Sequence, residues 1–208
     1  MKILLSAMAL ALAGCSSAPP QPAWRVDAQS SLTGFTDAYL AGDSSAARAD
    51  FSRARADAAA TGDPVAVAQV ELLRCAAQTA SLDIVECSGF TALASDATPA
   101  QRAYASYLAG RWQGLDVALL PEPQRGVPGG AALAAIVDPL SRLVAAGASL
   151  RAGKLTPDGI ATATATASGQ GWRRPLLAWL GVSIQRAEAL GDAQEAARLR
   201  RRVALAQP

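Results

Sequence analysis

The three cysteines are the residues of this chain best able to do chemistry, and their spacing divides them into a pair and a single residue. Cys75 and Cys87 lie twelve residues apart, whereas Cys15 stands alone near the amino terminus. In an oxidising compartment an isolated pair of this kind is expected to form a disulfide. Two buried free thiols are the alternative. A redox activity is not indicated, because the sequence has no Cys-x-x-Cys motif.

Histidine is absent from the whole sequence, which excludes several classes of catalytic site. A Ser-His-Asp triad, a Cys-His pair and a His-ligated zinc site all require it. Paired carboxylates, as in muralytic glycosidases, are the remaining route to acid–base catalysis. The candidates Glu71, Glu86 and Glu122 are scattered, and no sequence context marks one as a general acid. We therefore predict a protein that is not an enzyme and that holds no cofactor and no metal.

The surroundings of Cys15 predict that this cysteine is modified. Lys2 and the apolar residues 3–14 have the pattern of an export signal, and the run is shorter than the roughly 20 residues of a membrane span. The run ends in Leu12-Ala13-Gly14-Cys15, which resembles the bacterial lipobox. The resemblance implies that residues 1–14 are removed and that Cys15 is acylated. An ordinary signal peptide that contains a cysteine is the alternative.

An acylated Cys15 would attach the protein to a membrane, because two or more acyl chains hold firmly where one holds marginally. In the lipoproteins that it resembles, Asp after the cysteine retains the protein in the inner membrane, whereas Ser is compatible with outer-membrane sorting. Ser16 occupies that place here. We expect anchorage on the periplasmic face of an outer membrane, with the inner membrane as the alternative.

Composition and charge favour one helical domain without a nucleic-acid partner. The chain has 208 residues and a net charge of +2, far from the basic character of nucleic-acid-binding proteins. Alanine and leucine are abundant, and β-branched runs with a period of two are scarce, which favours helices. We divide the chain into a signal peptide at 1–14, an acylated cysteine and Pro/Ser-rich linker at 15–24, and a single helical domain at 25–208.

Helix punctuation recurs along the domain. Polar caps, several of them followed by proline, predict helix starts at Asp43 or Ser44, Asp63, Thr98, Asp138, Thr156 and Asp192. The stripe of Tyr104, Tyr107, Trp112 and Leu115 predicts a long helix that Pro121 ends. The Ala/Thr alternation of 161–167 imitates a strand, but the flanking cap and glycines favour a helix. The pattern predicts an all-α fold of eight or nine helices in antiparallel hairpins.

The first and last hairpins share a Gly-Asp turn. In the first hairpin the shared residue types are Gly42, Asp43, Ala47, Phe51 and Ala54. They resemble the tetratricopeptide repeat, a helical hairpin of about 34 residues. The likeness is incomplete, because Arg200 stands where an aromatic is expected and no repeat period continues through 81–175. It implies a stacked array with a groove for peptides or partner proteins, and an irregular helical bundle is the alternative.

The stretch from Gly171 to Trp179 is the sharpest candidate surface. Trp172, Arg173 and Arg174 precede a helix, where cations oppose the helix dipole by about 0.3–1 kcal/mol each. Because Trp and Arg are frequent interface anchors, we predict that these three residues contact an acidic partner or an anionic glycan. The alternative is that Trp172 packs on the core and the arginines pair with nearby acids.

Two other clusters favour a structural interpretation. Arg198, Arg200, Arg201 and Arg202 lie near a helix carboxyl terminus, where cations are favourable, so we interpret them as a solvated face. Contact with lipopolysaccharide or phospholipid is the alternative. Tyr104, Tyr107 and Trp112 are interpreted as core rather than as a ligand site.

These features predict a lipoprotein whose work is non-catalytic: an outer-membrane-anchored periplasmic adaptor or scaffold for an envelope protein complex. Its expected partners are the membrane, through the acyl chains, and an envelope protein. A module that binds peptidoglycan or another envelope ligand is the alternative, followed by a carboxylate-dependent cell-wall hydrolase.

Overall fold

A computed structural model describes residues 21–207, and over that range the chain is all-α, as predicted. The described range contains nine α-helices, and no strand occurs within it: α1 Ala23–Ala41, α2 Ser44–Ala59, α3 Pro64–Ala80, α4 Ser88–Thr91, α5 Pro99–Leu108, α6 Pro139–Arg151, α7 Pro157–Gly169, α8 Arg173–Ala189 and α9 Ala193–Ala206. Four 3₁₀ turns lie between α5 and α6. The predicted signal peptide, Cys15 and linker residues 15–20 lie outside the described residues. The predicted linker boundary at residue 24 is wrong, because α1 already begins at Ala23, directly after Pro22.

The helices begin where the polar caps predict. At six starts the cap side chain accepts a backbone N–H of the first turn: Asp43 at α2, Asp63 at α3, Thr98 at α5, Asp138 at α6, Thr156 at α7 and Asp192 at α9. At α5 the Gln101 side chain also accepts the Thr98 N–H, which completes a capping box. Each cap contributes about 1 kcal/mol to helix stability.

The helices pack around α3 and α6. Helices α1 and α2 form a hairpin, α3 contacts α2, α5 and α6, and the chain then continues through α6, α7, α8 and α9, each packed on the next. The main core includes the fully buried Tyr107, Leu143 and Trp179. Helices α3 and α6 approach closely at Gly147, where a Cβ would overlap the carbonyl oxygen of Thr79. The fold therefore consists of helical hairpins joined by a central helix pair.

The prediction of one long helix from Thr98 to Pro121 is wrong. Helix α5 ends at Leu108, and Trp112 lies in the following irregular segment, although it still packs against the core. Gly110 ends the helix, because its φ of +74° is left-handed and favours glycine. A Cβ on Gly110 would also lie 2.6 Å from the backbone carbon of Arg151, so the close approach of α6 requires a glycine here.

Candidate functional site

The residues predicted as a partner contact lie at the start of α8, beside the turn between α1 and α2. Trp172 is half-buried and packs against both the main core and the smaller cluster around Phe35 and Tyr39. Helices α8 and α1 are in contact. The start of α8 therefore ties the carboxyl-terminal hairpin to the amino-terminal one.

Arg174 makes its contacts within the chain. Its Nε donates to the Tyr39 carbonyl oxygen at 2.6 Å, and a terminal nitrogen donates to Ser44 Oγ at 2.7 Å. Its guanidinium carbon also lies 4.3 Å from the centroid of the Tyr39 ring, a cation–π geometry. The Tyr39 hydroxyl in turn donates to Asp83 at 2.9 Å. Burial and this hydrogen bond raise the pKa of Tyr39.

Arg173 differs from its neighbour. It is half-buried, and its guanidinium lies beside Gly42, where an added Cβ would be 3.1 Å from Nε. No ion pair or hydrogen bond of its side chain is found within residues 21–207. Of the two arginines, Arg173 therefore keeps its charge available to an outside group.

Cys75 and Cys87 are joined by a disulfide, with their Cα atoms 5.9 Å apart. The bond fastens Cys75, five residues before the end of α3, to Cys87, which directly precedes α4. Between them lies a loop in which Ile84 and Val85 are exposed and Leu82 adopts a positive φ of 54°.

Reducing this disulfide should lower the free energy of unfolding by about 3 kcal/mol, because the bond closes a loop over a sequence separation of 12. Urea unfolding of the purified protein with and without reductant measures the difference. The variant Cys75→Ala/Cys87→Ala is the control, and its midpoint should not respond to reductant. Equal stability of the oxidised and reduced wild-type protein would contradict the prediction.

The aromatic group of Tyr104, Tyr107 and Trp112 lies in the core, as interpreted from the sequence. The Tyr107 ring stacks between the other two, with centroid separations of 6.2 and 5.3 Å. Its buried hydroxyl donates to Gln124 Oε1 at 2.8 Å. Burial raises the pKa of both tyrosines. Tyr107 is fully buried, whereas Tyr104 and Trp112 are partly buried and pack against the core, so the group holds the segment after α5 in place.

A groove missed by sequence reasoning lies between α7 and α9. Both helices make their most extensive contacts with α8, which forms the floor between them. The space measures about 620 Å³. Small side chains on the α7 wall, Ala161 and Ala165, leave this space open, and Leu190 and Leu199 add apolar surface from the other side. Leu190 is 67% exposed, so its side chain is free to contact a bound group.

The arginines around this groove outnumber the carboxylates that are free to neutralise them. Asp192 caps α9, and Glu195 accepts two hydrogen bonds of 2.6 Å from Arg198. Arg202 reaches only Ser168 Oγ, at 3.4 Å, and Arg186 has no ion pair among the residues described. The hydrogen bond from Arg198 and, behind it, the charge of Arg202 lower the pKa of Glu195, so Arg202 is partly compensated. The groove therefore combines apolar surface with an excess of positive charge, and Arg186 is the arginine of its lining that has neither an ion pair nor a hydrogen bond within residues 21–207.

The basic residues of α9 divide between ion pairs and open positions. Arg198 pairs with Glu195 and Arg200 pairs with Glu188, so part of the predicted solvated face is neutralised locally. Arg198 and Arg202, four residues apart, share the helix face that lines the groove. This i, i+4 spacing was the one signal in the sequence that pointed to the groove.

The carboxylates considered for catalysis have different surroundings. Glu71 is buried and pairs with Arg55 and Arg74, whereas Glu86 and Glu122 are exposed. In residues 21–207 no group of three or more His, Cys, Asp or Glu side chains is arranged to hold a metal ion.

Comparison of the chain with models of protein families, with curated proteins and with solved structures finds no significant match. Within residues 21–207 no helix has both the length and the apolar character that crossing a membrane requires.

Proposed function

We propose that this protein is an outer-membrane-anchored periplasmic lipoprotein that acts as a non-catalytic adaptor or scaffold for an envelope protein complex. The observation that carries the adaptor role is the open groove between α7 and α9. The resemblance of residues 12–15 to the lipobox supports the anchor, and the Pro/Ser-rich residues before α1 would, if extended, form a tether of up to roughly 25 Å.

The groove fits an acidic segment of a partner protein that carries an apolar anchor side chain. Arg186 and Arg202 supply charges that an acidic segment would neutralise, and Leu190 supplies the exposed apolar contact. Charge complementarity of this kind steers association and sets specificity.

The start of α8 supplies a second contact in this proposal. Trp172 and Arg173 are half-buried at a junction between helices, and Arg173 has no ion pair in the part of the chain that the structure describes, whereas Arg174 serves mainly to fix the junction. A partner that spans the groove and this junction would contact both ends of α8.

In-cell crosslinking of the tagged protein, followed by mass spectrometry, tests the proposal. The variant Arg186→Glu/Leu190→Asp should reduce recovery of one abundant envelope protein at least tenfold, because it reverses a charge and removes the apolar anchor. The matched control is Arg48→Glu/Val137→Asp, which makes the same changes at exposed positions outside the groove. Both variants should keep the wild-type melting temperature.

The same experiment separates the alternatives. Equal recovery of the partner with the groove variant and the control would contradict a role for the groove. Recovery of glycan fragments without a specific protein would replace the adaptor with a module that binds peptidoglycan or another envelope ligand. Arg173→Ala, run in parallel, reports on the contact at the start of α8, because this change leaves the intramolecular bonds of Arg174 in place.

A further inference from the structure

A second cavity, of about 420 Å³, lies beside the disulfide, where the carboxyl-terminal ends of α3, α5 and α6 meet. Its volume falls within the range of about 300–1,000 Å³ that is typical of small-ligand sites. Apolar surface comes from the disulfide and from Val85, Phe90 and Leu108. Four charged side chains line the same space: Asp83, Glu86, Arg111 and Arg151.

The two arginines converge because α5 and α6 end beside each other. Arg151 is in the last turn of α6, and Arg111 follows the left-handed Gly110 that ends α5. The Arg111 N–H donates to the Ser106 carbonyl oxygen at 3.0 Å, which fixes the direction of the chain after the helix. Hydrogen bonds and close packing therefore fix the backbone of the two residues that carry these guanidinium groups.

The arginine pair lacks a counterion. Neither guanidinium forms an ion pair with any acidic residue of 21–207. Burial and the positive charge of Arg111 lower the pKa of Arg151, so each cation raises the electrostatic energy of the other. A carboxylate placed between two guanidinium groups would accept charge-assisted hydrogen bonds from both and remove this repulsion.

The two acidic side chains of the cavity favour a zwitterion over a simple anion. Asp83 is held by the Tyr39 hydroxyl at 2.9 Å, and Glu86 is exposed on the disulfide-closed loop. Their negative charges disfavour a dianion such as phosphate and would attract an ammonium group. The acids come from the loop after α3 and the arginines from the ends of α5 and α6, and the apolar side chains that line the same cavity suit an aliphatic side chain of the ligand.

We infer that this cavity binds a short peptide with free termini, its carboxylate between Arg111 and Arg151 and its ammonium group facing Asp83 and Glu86. The site is separate from the α7–α9 groove and does not depend on the proposed adaptor function.

Isothermal titration calorimetry of the full chain with the dipeptide Ala-Leu tests this site. Saturable binding is expected, and the C-terminally amidated dipeptide should bind at least tenfold more weakly, because it cannot form the charge-assisted bonds. This ligand pair needs no protein variant. Arg151→Gln should weaken binding of Ala-Leu by a similar factor, and Arg201→Gln, at an exposed arginine that forms no ion pair within 21–207, should leave it unchanged.

Three results would overturn the inference. The first is no binding at millimolar dipeptide, and the second is equal affinity for the acid and the amide. The third is inorganic phosphate binding as tightly as the dipeptide, which would identify a general anion site. Wild-type melting curves for both arginine variants separate loss of the site from loss of the fold. The groove variant Arg186→Glu/Leu190→Asp should bind the dipeptide normally. Loss of the groove function can therefore be distinguished from loss of the dipeptide site.

Discussion

Replacing Trp179 by alanine should lower the free energy of unfolding by about 4 kcal/mol, in the range measured for large buried aromatic residues. Trp179 is completely buried in the main core, and its indole Nε1 donates to the Ala80 carbonyl oxygen at 3.0 Å. The substitution opens a cavity between α8 and the end of α3 and leaves that buried carbonyl without its partner. Urea unfolding followed by far-ultraviolet circular dichroism measures the change.

Trp179→Phe separates the two contributions, because phenylalanine keeps an aromatic ring but has no N–H. It should cost about 1–2 kcal/mol for the lost hydrogen bond and a small additional amount for volume. Trp24→Ala is the matched control, since Trp24 is only partly buried near the start of α1. A loss below about 1 kcal/mol for Trp179→Ala would contradict the full burial of Trp179 and its hydrogen bond to Ala80.

Features that depend on neighbouring residues were predictable from the sequence. A capping side chain such as Asp138 bonds to the N–H of Ser141, three residues away, so residue types and spacing are enough to identify it. The same reasoning assigned 157–169 to a helix despite its Ala/Thr alternation, because Thr156 and Pro157 begin it. All the predicted caps are used, and the all-α class follows from them.

Features that depend on distant residues were not predictable. Gly110 ends α5 because α6 approaches it, and no pattern near residue 110 records the position of Arg151. Arg174 was predicted to contact a partner, yet its nearest groups are Tyr39 and Ser44, more than a hundred residues away in sequence. Local sequence gives the type of a side chain and its place on a helix, whereas its neighbours are decided by tertiary packing.

The candidate sites were also predictable only where they depend on neighbouring residues. The arginines of α9 were visible in the sequence, but which of them are neutralised depends on Glu188 and Glu195 and on the packing of α8. Arg111 and Arg151 line the same cavity from two helix ends that are 40 residues apart in the chain, and no sequence pattern predicts that they are neighbours. A charge pattern alone therefore cannot separate a solvated face from a binding surface.

Replacing Glu71 by alanine should destabilise the fold by about 3 kcal/mol, the lower end of the range for breaking a buried ion pair, because the carboxylate is buried but its two arginine partners are partly exposed. The Glu71 side chain is 3% exposed, and its carboxylate accepts from Arg55 Nε at 2.9 Å and lies 2.6 Å from a terminal nitrogen of Arg74. The guanidinium of Arg74 also lies 4.5 Å from the centroid of the Phe51 ring. Loss of the carboxylate leaves this partly buried cation without an anion. Thermal and urea unfolding measure the effect.

Variants at the same site show what the buried carboxylate does. Glu188→Ala, which breaks the exposed pair with Arg200, is the control and should change stability by less than about 1 kcal/mol. Glu71→Leu/Arg74→Met replaces the pair with apolar side chains of similar size, and such exchanges are often neutral or stabilising. We expect the double variant to recover most of the stability lost in Glu71→Ala.

Recovery in the double variant would mean that Glu71 contributes mainly to geometry rather than to net stability. Glu71 touches three elements at once: it lies on α3, pairs with Arg55 of α2, and packs so closely on α4 that a Cβ at Gly89 would overlap its carboxylate. An apolar pair fills the same space but does not fix the orientation of α2 and α4 relative to α3. The double variant should therefore keep its melting temperature, while amides near Cys87 and Gly89 exchange with solvent faster. Unchanged exchange there would show that the disulfide alone fixes the loop.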